Sequence, residues 1–399
     1  MTDGDGAPGG ARPAGARRRP APGTAQQRLL SQIAAGRQAR RHRLLLIITA
    51  AVSALVLATS GGAWALTSYV TGHLGRISAG TTGTPSSGPL NILVAGIDSR
   101  SGLTAQQQAA LHVGHDVSTN SDTLMLVHVP ADHSYVQEVS LPRDSWVNIP
   151  GHGMNKINAA IGLGGPKLMV STVEAATGLV INDYVEVNFL GFVKVIDALG
   201  GVNICLPFAV DDAYSGLHMS AGVHHVDGIT ALEFARDRHS FAASDLARID
   251  DQQQLMSTVL NKAISTGTMS DPFKLRSVIS SVTSAIQVDQ GFNLTSLASQ
   301  LSGLRPQDVA FTTVPLANLN YQTPTGESAV LWDSSAAGQL FAQIRADQRP
   351  AAVAPPAPRH RRRAGKASGT PAPSASATAL PTGAQAGGQV KTAAQDTCH

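Results

Sequence analysis

Arginine and aspartate are concentrated in one short stretch, residues 234–254, which reads FARDRHSFAASDLARIDDQQQ. Seven of its 21 residues are charged, in a chain where charged residues make up only 14%. Guanidinium groups stay charged and bind phosphate oxygens in pairs, so several arginines aimed at one point suit a diphosphate better than a single carboxylate. The alternative is a lattice of internal ion pairs. Because exposed ion pairs contribute little stability, so dense a cluster favours a ligand.

A second set of ionisable residues lies at the ends of three predicted strands. The strand LNILVAGID ends on Asp98, SDTLMLVHV has Asp122 as its second residue, and SYVQEVSL is followed by Pro142 and Arg143. If consecutive strands are neighbours that run up, down and up, these side chains meet at one edge of the sheet. Taken singly, the two aspartates could merely cap a loop and a strand end. Together they predict a cation site, since Mg²⁺ is typically held by one or two carboxylates plus substrate phosphates.

A helix is predicted to begin at Ser244, a suitable N-cap, and to continue through SDLARIDDQQQLMSTVLNKAI. Its apolar residues share one sector that would face the core: Leu246, Ile249, Met256 and Leu260. The sector beside it holds Asp245, Arg248 and Gln252. Just upstream, Arg236 and Arg238 are predicted in an extended segment, where residues two apart point the same way. Three arginines and one amide would then be aimed at one place.

The remaining elements decide the fold class. The segment YVEVNFLGFVKVIDALGGVNICL predicts a strand, a helix, a turn at Gly200 and Gly201, and a strand, and VDGITALEFAR begins another helix. We therefore predict an α/β domain, a layered mixed sheet flanked by helices. The sequence has no phosphate-binding glycine loop of the nucleotide-binding types and no nucleophile elbow of serine hydrolases.

Composition removes both ends of the 399-residue chain from the predicted fold. Residues 1–43 contain nine arginines against two acidic residues, which predicts a disordered basic segment in the cytoplasm. Residues 348–399 are rich in Pro and Ala, with seven basic residues against one acidic residue, and predict a second disordered tail. Since the whole chain carries +3, the region between them carries −10. Nucleic acid is therefore not an expected partner.

Residues 44–70 form an uncharged stretch of 27 residues, LLLIITAAVSALVLATSGGAWALTSYV. About 20 helical residues cross the hydrocarbon core, whereas the apolar part of a cleaved signal peptide has only roughly 7 to 15. Arginines are concentrated before this stretch, which predicts a single-pass anchor in the cell membrane with a cytoplasmic N-terminus. A linker at 71–88 and an extracellular domain at 89–347 would follow. The two cysteines, Cys205 and Cys398, do not predict a disulfide framework.

Four motifs occur in order behind the predicted span: NILVAGIDSR, SDTLMLVHV, VSLPRDSWVNIPGHGMNKINAAIGLGG and FARDRHSFAASDLARIDDQQQ. This combination resembles the LytR-CpsA-Psr family, closely over residues 89–265 and loosely to 347. The resemblance implies a phosphotransferase of the bacterial cell surface. Such enzymes move a glycopolymer, for example wall teichoic acid, capsule or arabinogalactan, from a polyprenyl-diphosphate carrier onto peptidoglycan. The family fold is an α/β domain with a groove for the lipid chain.

The resemblance also implies roles for single residues. Asp98 and Asp122 would hold Mg²⁺, or Mn²⁺ in its place. The diphosphate would be bound by Arg100, Arg143, Arg236, Arg238, Arg248 and Gln252. The catalytic set would be Asp98, Asp122, Arg143, Arg236, Arg238 and Asp245. Arginines are common in the family where this chain has Asn120 and Asp251, so diphosphate binding would be weaker here or the donor different.

The implied chemistry needs little covalent work from the protein, because phosphoryl transfer is catalysed mainly by positioning and charge neutralisation. A sugar hydroxyl of peptidoglycan would attack the phosphorus next to the glycan, and polyprenyl phosphate would leave. Asp98, Asp122 or Asp245 would accept the hydroxyl proton. Two alternatives stay open: a polyprenyl-diphosphate phosphatase that uses water as the acceptor, and a non-catalytic membrane-anchored module that binds wall precursors or regulates their use.

Overall fold

A computed structural model describes residues 74–97, 121–237, 244–265, 272–301, 303–349 and 391–392, with isolated positions at 68, 72, 104, 106 and 108. All of these belong to one compact unit, Thr67–His399. Across these ranges, no helix combines the length and the apolar character needed to cross a membrane. The predicted span at 44–70 lies outside them, apart from Ser68.

The described residues form sixteen strands, eight of which make one mixed sheet in the centre of the domain. They are β1 (Gly75–Ile77), β2 (Leu90–Ile97), β3 (Ser121–Val129), β4 (Val136–Ser140), β5 (Trp146–Ile149), β6 (Gly153–Lys156), β7 (Asp183–Asn188), β8 (Val202–Leu206), β9 (Val210–Asp212), β10 (Leu217–Met219), β11 (Gly222–Val226), β12 (Ile286–Asp289), β13 (Val309–Thr313), β14 (Leu316–Gln322), β15 (Ser328–Trp332) and β16 (Lys391–Thr392). The order across the central sheet is β1-β12-β7-β2-β3-β4-β13-β16. Four two-stranded sheets pair β5 with β6, β8 with β11, β9 with β10, and β14 with β15.

Seven α-helices and one short 3-10 helix lie in the described part of the chain. They are α1 (Ala159–Thr177), α2 (Phe189–Ala198), α3 (Gly228–Arg236), α4 (Ser244–Ser265), α5 (Pro272–Ala285), α6 (Leu294–Leu301), the 3-10 helix Pro306–Asp308 and α7 (Ser334–Arg345). Helix α1 is kinked at Gly164 and Gly165, just before Pro166. The α/β prediction is confirmed.

The three strands predicted from the sequence run up, down and up as expected. Strand β2 is antiparallel to β3, with Ile97 opposite Ser121, and β3 is antiparallel to β4, with Met125 opposite Ser140. Strands β7 and β13 run parallel to β2 and β4, respectively. Strands β2, β4, β7 and β13 therefore end, and β3 begins, at one edge of the sheet, which we call the polar edge.

Apolar side chains cover both faces of the central strands. On one face, Leu93, Leu126 and Val139 pack with residues of α1 and α7, such as Met169 and Phe341. On the other face, Ile92, Val127 and Val136 form a second cluster with Leu297 of α6. Because neighbouring strands are buried on both sides, they read as nearly continuous apolar runs in the sequence.

The segment predicted as a linker, 71–88, is built into the domain over much of its length. Strand β1 pairs with β12, and the Gly83 N–H donates to the Asn182 carbonyl at 2.7 Å. The Thr84 hydroxyl donates to Asp183, and the Pro85 carbonyl accepts hydrogen bonds from two side chains of α6. Gly83 has a positive φ, and a Cβ there would lie 3.2 Å from the backbone of Gly291. Residues 75–85 are therefore part of the folded domain as well as its connection to the preceding segment.

The C-terminal tail also returns to the domain. Residues Lys391–Thr392 form β16, which pairs antiparallel with β13 at the edge of the central sheet. Cys205, on β8, is disulfide-bonded, contrary to our expectation from the sequence. We expected no pairing because Cys205 is predicted in a strand and Cys398 stands at the end of the tail.

Candidate functional site

Two of the predicted residues meet at the polar edge as an ion pair. Arg143 Nη1 lies 2.7 Å from Asp122 Oδ1. The same guanidinium donates through Nε to Asp144 Oδ2 at 3.2 Å, and Lys156 Nζ lies 3.1 Å from Asp144 Oδ1. These four side chains are between 15% and 29% exposed. They form a row of alternating charge that is desolvated in part but open to a ligand.

Backbone and side-chain hydrogen bonds hold the loop that carries Arg143. Its carbonyl accepts the Asn158 N–H at 3.1 Å, and the Asp144 carbonyl accepts the Val330 N–H at 2.9 Å. The Ser145 hydroxyl donates to the Pro142 carbonyl at 2.6 Å and accepts the indole N–H of Trp332 at 2.8 Å. The guanidinium is therefore presented from a loop that is fixed on several sides, which favours a preorganised site.

Arg236 reaches the polar edge from a different element. It is the last residue of α3, a helix whose N-cap, Asp227, accepts a hydrogen bond from the Thr230 N–H. Its guanidinium carbon lies 5.6 Å from the centre of the Phe189 ring, within the range of a cation–π contact. Phe189 directly follows Asn188, which is paired with Ile97 at the end of β2. The sequence prediction that Arg236 lies in an extended segment is wrong, because α3 continues through it.

A hydrogen bond from Gln252 joins α4 to the end of α3. Its Nε2 donates to the carbonyl of Ala235, the residue before Arg236, at 3.3 Å. The predicted apolar face of this helix is only partly correct. Ile249 is buried as expected, but Leu255 is buried where Met256 was expected, and Met256 and Leu260 are half-buried.

Several predicted site residues lie outside the part of the chain that the structure describes. These are Asp98, Arg100 and Arg238. Asp98 directly follows Ile97, whose partners on the neighbouring strands are Ser121 and Asn188. Asp245 and Arg248 lie in α4, but their side chains are not among those that the structure describes. Arg248 precedes Gln252 by one helical turn. Of the two departures from the family pattern, Asn120 lies outside the description and Asp251 is buried.

The donor chemistry at the polar edge fits a hard divalent cation. Asp122 supplies a carboxylate, and the next position beyond β2 is another aspartate. Carboxylate oxygens are the ligands Mg²⁺ prefers, and it commonly takes its remaining ligands from substrate phosphates and water. Within the described ranges, no three His, Cys, Asp or Glu side chains are grouped closely enough to hold a metal ion. Among the described residues, Asp122 supplies one carboxylate for such a site.

A buried polar network lies behind the polar edge. Gln253 Nε2 donates to Ser140 Oγ at 3.1 Å, and the Ser140 hydroxyl donates to Glu138 Oε1 at 2.8 Å. Gln253 Nε2 also lies 3.4 Å from Thr313 Oγ1. Burial raises the pKa of Glu138 to about 8, against the opposing hydrogen bond from Ser140. The carboxyl is therefore mostly neutral at pH 7.

Sequence reasoning assigned no role to three side chains of this site: Asp144, Lys156 and Phe189. Asp144 stands next to Arg143, and Lys156 is in the long third motif, so their positions offered a signal. Phe189 offered none. It begins a helix that follows a strand, and only the fold brings Arg236 over its ring.

The LytR_cpsA_psr family model matches residues 72–344. Cell wall biosynthesis protein LcpA of Corynebacterium glutamicum is 32% identical over 347 residues, which cover 78% of this chain and 67% of the relative. A polyisoprenyl-teichoic acid–peptidoglycan teichoic acid transferase, TagU of Oceanobacillus iheyensis, is 37% identical over 182 residues, 44% of this chain and 52% of that protein.

Solved structures show the same fold. TagV of Bacillus subtilis matches with a TM-score of 0.54 and 23% identity, over 67% of this chain and 100% of that one. The LytR-Csp2A-Psr enzyme of Actinomyces oris matches with a TM-score of 0.53 and 23% identity, over 68% of this chain and 95% of that one. The family model covers more than half of the chain, from before β1 to the last turn of α7. This protein therefore belongs to the LytR-CpsA-Psr family.

Proposed function

We propose that this protein is a membrane-anchored phosphotransferase that moves a glycopolymer from a polyprenyl-diphosphate carrier onto peptidoglycan. One observation carries the proposal: Asp122 and Arg143 form an ion pair at the polar edge, and Arg236 lies over Phe189, the residue that follows β7 at the same edge. The names of its relatives support it, since LcpA is a cell wall biosynthesis protein and TagU a teichoic acid–peptidoglycan transferase.

The arrangement of charge suits a diphosphate. Arg143 comes from the loop after β4 and Arg236 from the end of α3, so cationic groups approach the edge from two sides of β2. A diphosphate presents several anionic oxygens, and guanidinium groups bind such oxygens through paired N–H donors. Lys156 adds a further positive charge behind Asp144. These residues would bind and orient the donor.

The reaction we propose is a displacement at the phosphorus attached to the glycan. The oxygen of a peptidoglycan hydroxyl forms a bond to this phosphorus, and the bond from phosphorus to the bridging oxygen breaks. The hydroxyl proton passes to a base, for which Asp98, Asp122 and Asp245 are the candidates, and polyprenyl phosphate leaves. The product is a phosphodiester. The arginines stabilise the charge on the departing phosphate, which is the main contribution proteins make to such transfers.

Mg²⁺ would be held by Asp122 together with Asp98. When bound, it would neutralise charge on the diphosphate oxygens. The same carboxylates would accept Mn²⁺, which also prefers oxygen ligands. Arg143 holds one oxygen of Asp122 in position, so the orientation of this carboxylate is fixed before any ligand arrives.

We also propose that residues 44–70 anchor the chain in the cell membrane, with the N-terminus in the cytoplasm and the catalytic domain outside. The uncharged length of this segment and the arginines before it support this orientation. It would place the site on the side of the membrane where peptidoglycan lies.

The test uses the full-length protein in detergent. It is incubated with a glycan linked to polyprenyl diphosphate, Mg²⁺ and peptidoglycan oligomers, and the products are separated by mass. We expect a glycan joined to peptidoglycan through a phosphodiester. Release of free glycan phosphate and polyprenyl phosphate without that product would instead indicate a phosphatase. Tight donor binding without turnover would indicate a non-catalytic module.

A further inference from the structure

Three consecutive glutamines of α4 contact three different elements. Gln252 donates to the Ala235 carbonyl of α3, Gln253 to Ser140 at the end of β4, and Gln254 exchanges hydrogen bonds with the backbone N–H and carbonyl of Cys205 on β8. Successive residues of an α-helix point about 100° apart, so three neighbours can reach in three directions. Together they fix the rotation of α4 about its axis and its position along it.

The middle glutamine is the one tied to the sheet. Gln253 is 5% exposed, and its partners Ser140 and Thr313 are 5% and 7% exposed. Ser140 and Thr313 are register partners at the ends of the parallel strands β4 and β13. The hydrogen bond at 3.1 Å to Ser140 is the shorter of the two contacts, and the 3.4 Å contact to Thr313 is weak by ordinary criteria.

The chain of donors ends on a neutral acceptor. The Ser140 hydroxyl donates a hydrogen bond to Glu138. Glu138 lies between its register partners on the two neighbouring strands, Val127 and Phe311. Glu138 Oε2 has no hydrogen-bond partner among the described residues. Each hydrogen bond of this buried network favours one arrangement of the elements it joins, because a broken link leaves a further buried polar group unpaired.

We propose that Gln253 is a positioning residue that sets the spacing between the arginines of the diphosphate site. This inference rests on the proposed function. Ser140 lies three residues before Arg143 on the same chain segment, and Gln252 contacts the residue before Arg236. Adjacent glutamines therefore tie α4, which itself carries Arg248, to the two elements that present the other arginines. Neither Gln253 nor Ser140 needs to touch the substrate for this effect.

The spacing matters because a diphosphate binds several guanidinium groups at once. When one is displaced by about 1 Å, the bidentate geometry with the others is lost, and such misplacement typically costs on the order of 100-fold in rate. Gln253→Leu keeps the size of the side chain and removes the donor. We expect binding of farnesyl diphosphate with Mg²⁺ to weaken about tenfold or more, and kcat for the transfer to fall.

The experiment measures farnesyl diphosphate binding by calorimetry and transfer kinetics on the full-length protein, for wild type, Gln253→Leu, Ser140→Ala and Thr313→Val. Gln339→Leu is the matched control, because Gln339 is exposed on α7. We expect large effects for Gln253→Leu and Ser140→Ala, a small effect for Thr313→Val and none for the control. The double variant of Gln253 and Ser140 should lose less than the sum of the two single variants, since both changes break the hydrogen bond between Gln253 and Ser140.

Wild-type binding and kinetics in Gln253→Leu and Ser140→Ala would overturn the inference, even if their thermal midpoints fell, because the network would then serve stability alone. If Gln253→Leu does not fold, Ser140→Ala decides by the same criterion. Arg236→Ala separates this inference from the proposed function. If wild type and Arg236→Ala bind farnesyl diphosphate equally or not at all, the proposed function fails, and the inference fails with it.

Discussion

The Glu138 carboxyl should make the stability of the protein depend on pH in a way that Glu138→Gln abolishes. Burial raises its pKa from the ordinary 4.5 to about 8 in the folded protein. Below pH 4.5 both the folded and the unfolded chain hold the proton. Between pH 4.5 and 8 the unfolded chain releases it while the folded chain keeps it, so the free energy of unfolding falls as pH rises.

The magnitude follows from the separation of the two pKa values. Each pH unit in this interval costs about 1.4 kcal/mol, which gives about 3 kcal/mol between pH 5 and pH 7 and about 5 kcal/mol above pH 8. Glutamine cannot ionise but can still accept the hydrogen bond from Ser140. The stability of Glu138→Gln relative to wild type should therefore rise with pH by these amounts.

The assay is urea unfolding of the full-length protein in detergent, followed by tryptophan fluorescence from pH 5 to pH 8.5. Subtracting wild type from the variant at each pH cancels every other titrating group. Glu327→Gln, in an exposed turn, controls for the removal of one carboxylate. A difference between Glu138→Gln and wild type that stays constant across this range would refute the reasoning, since Glu138 would then not be buried as a neutral acid.

Four further outcomes are expected. Asp122→Ala and Asp98→Ala should each abolish Mg²⁺-dependent transfer in the product assay, and a wild-type rate in either variant would remove it from the metal site. Phe189→Leu should weaken farnesyl diphosphate binding by about 2-fold to 30-fold in calorimetry, since a cation–π contact contributes about 0.5 to 2 kcal/mol; unchanged affinity would show that the ring does not support Arg236. Thr84→Val should lower the free energy of unfolding by about 1 to 3 kcal/mol in urea titration with transfer unchanged, because the Thr84 hydroxyl donates to Asp183 and accepts the Asn293 N–H; equal loss in the exposed Thr325→Val would contradict a specific role. Iodoacetamide should leave Cys205 unlabelled without reductant, because its sulfur is in a disulfide.

The sequence predicted the polar edge because the information needed there is local. Three consecutive strands pair as neighbours by default, so the ends of β2 and β4 and the start of β3 were expected to coincide. Strand β3 begins at Ser121 as predicted, and Arg143 meets Asp122 across the edge. The helical prediction for α4 also needed only its own residues.

The parts that sequence reasoning missed depend on contacts between distant residues. Gln253 and Ser140 are 113 positions apart, and Gln254 and Cys205 are 49 positions apart. No pattern of residue types shows that β13 lies beside β4, and without that pairing Glu138 looks like an ordinary charged residue on a strand. The run VQEVS is buried at every position, so alternation could not separate a solvent face from a core face. The helix predicted from VDGITALEFAR includes Arg236, and the extended segment expected from the alternation of Arg236 and Arg238 was wrong at Arg236 because α3 continues through it.

The hydrogen-bonded segment at residues 82–85 sets a limit on how this protein can be rebuilt. Strand β1 is in register with β12, so each residue inserted between Gly75 and Ile77 would move side chains to the opposite face of the sheet. Changes of length between Ile77 and Thr84 would pull the threonine away from Asp183. A chimaera that exchanges the N-terminal portion of the chain must therefore be joined before Gly75, and a domain started at the predicted boundary of residue 89 would lack an edge strand and a capping hydroxyl.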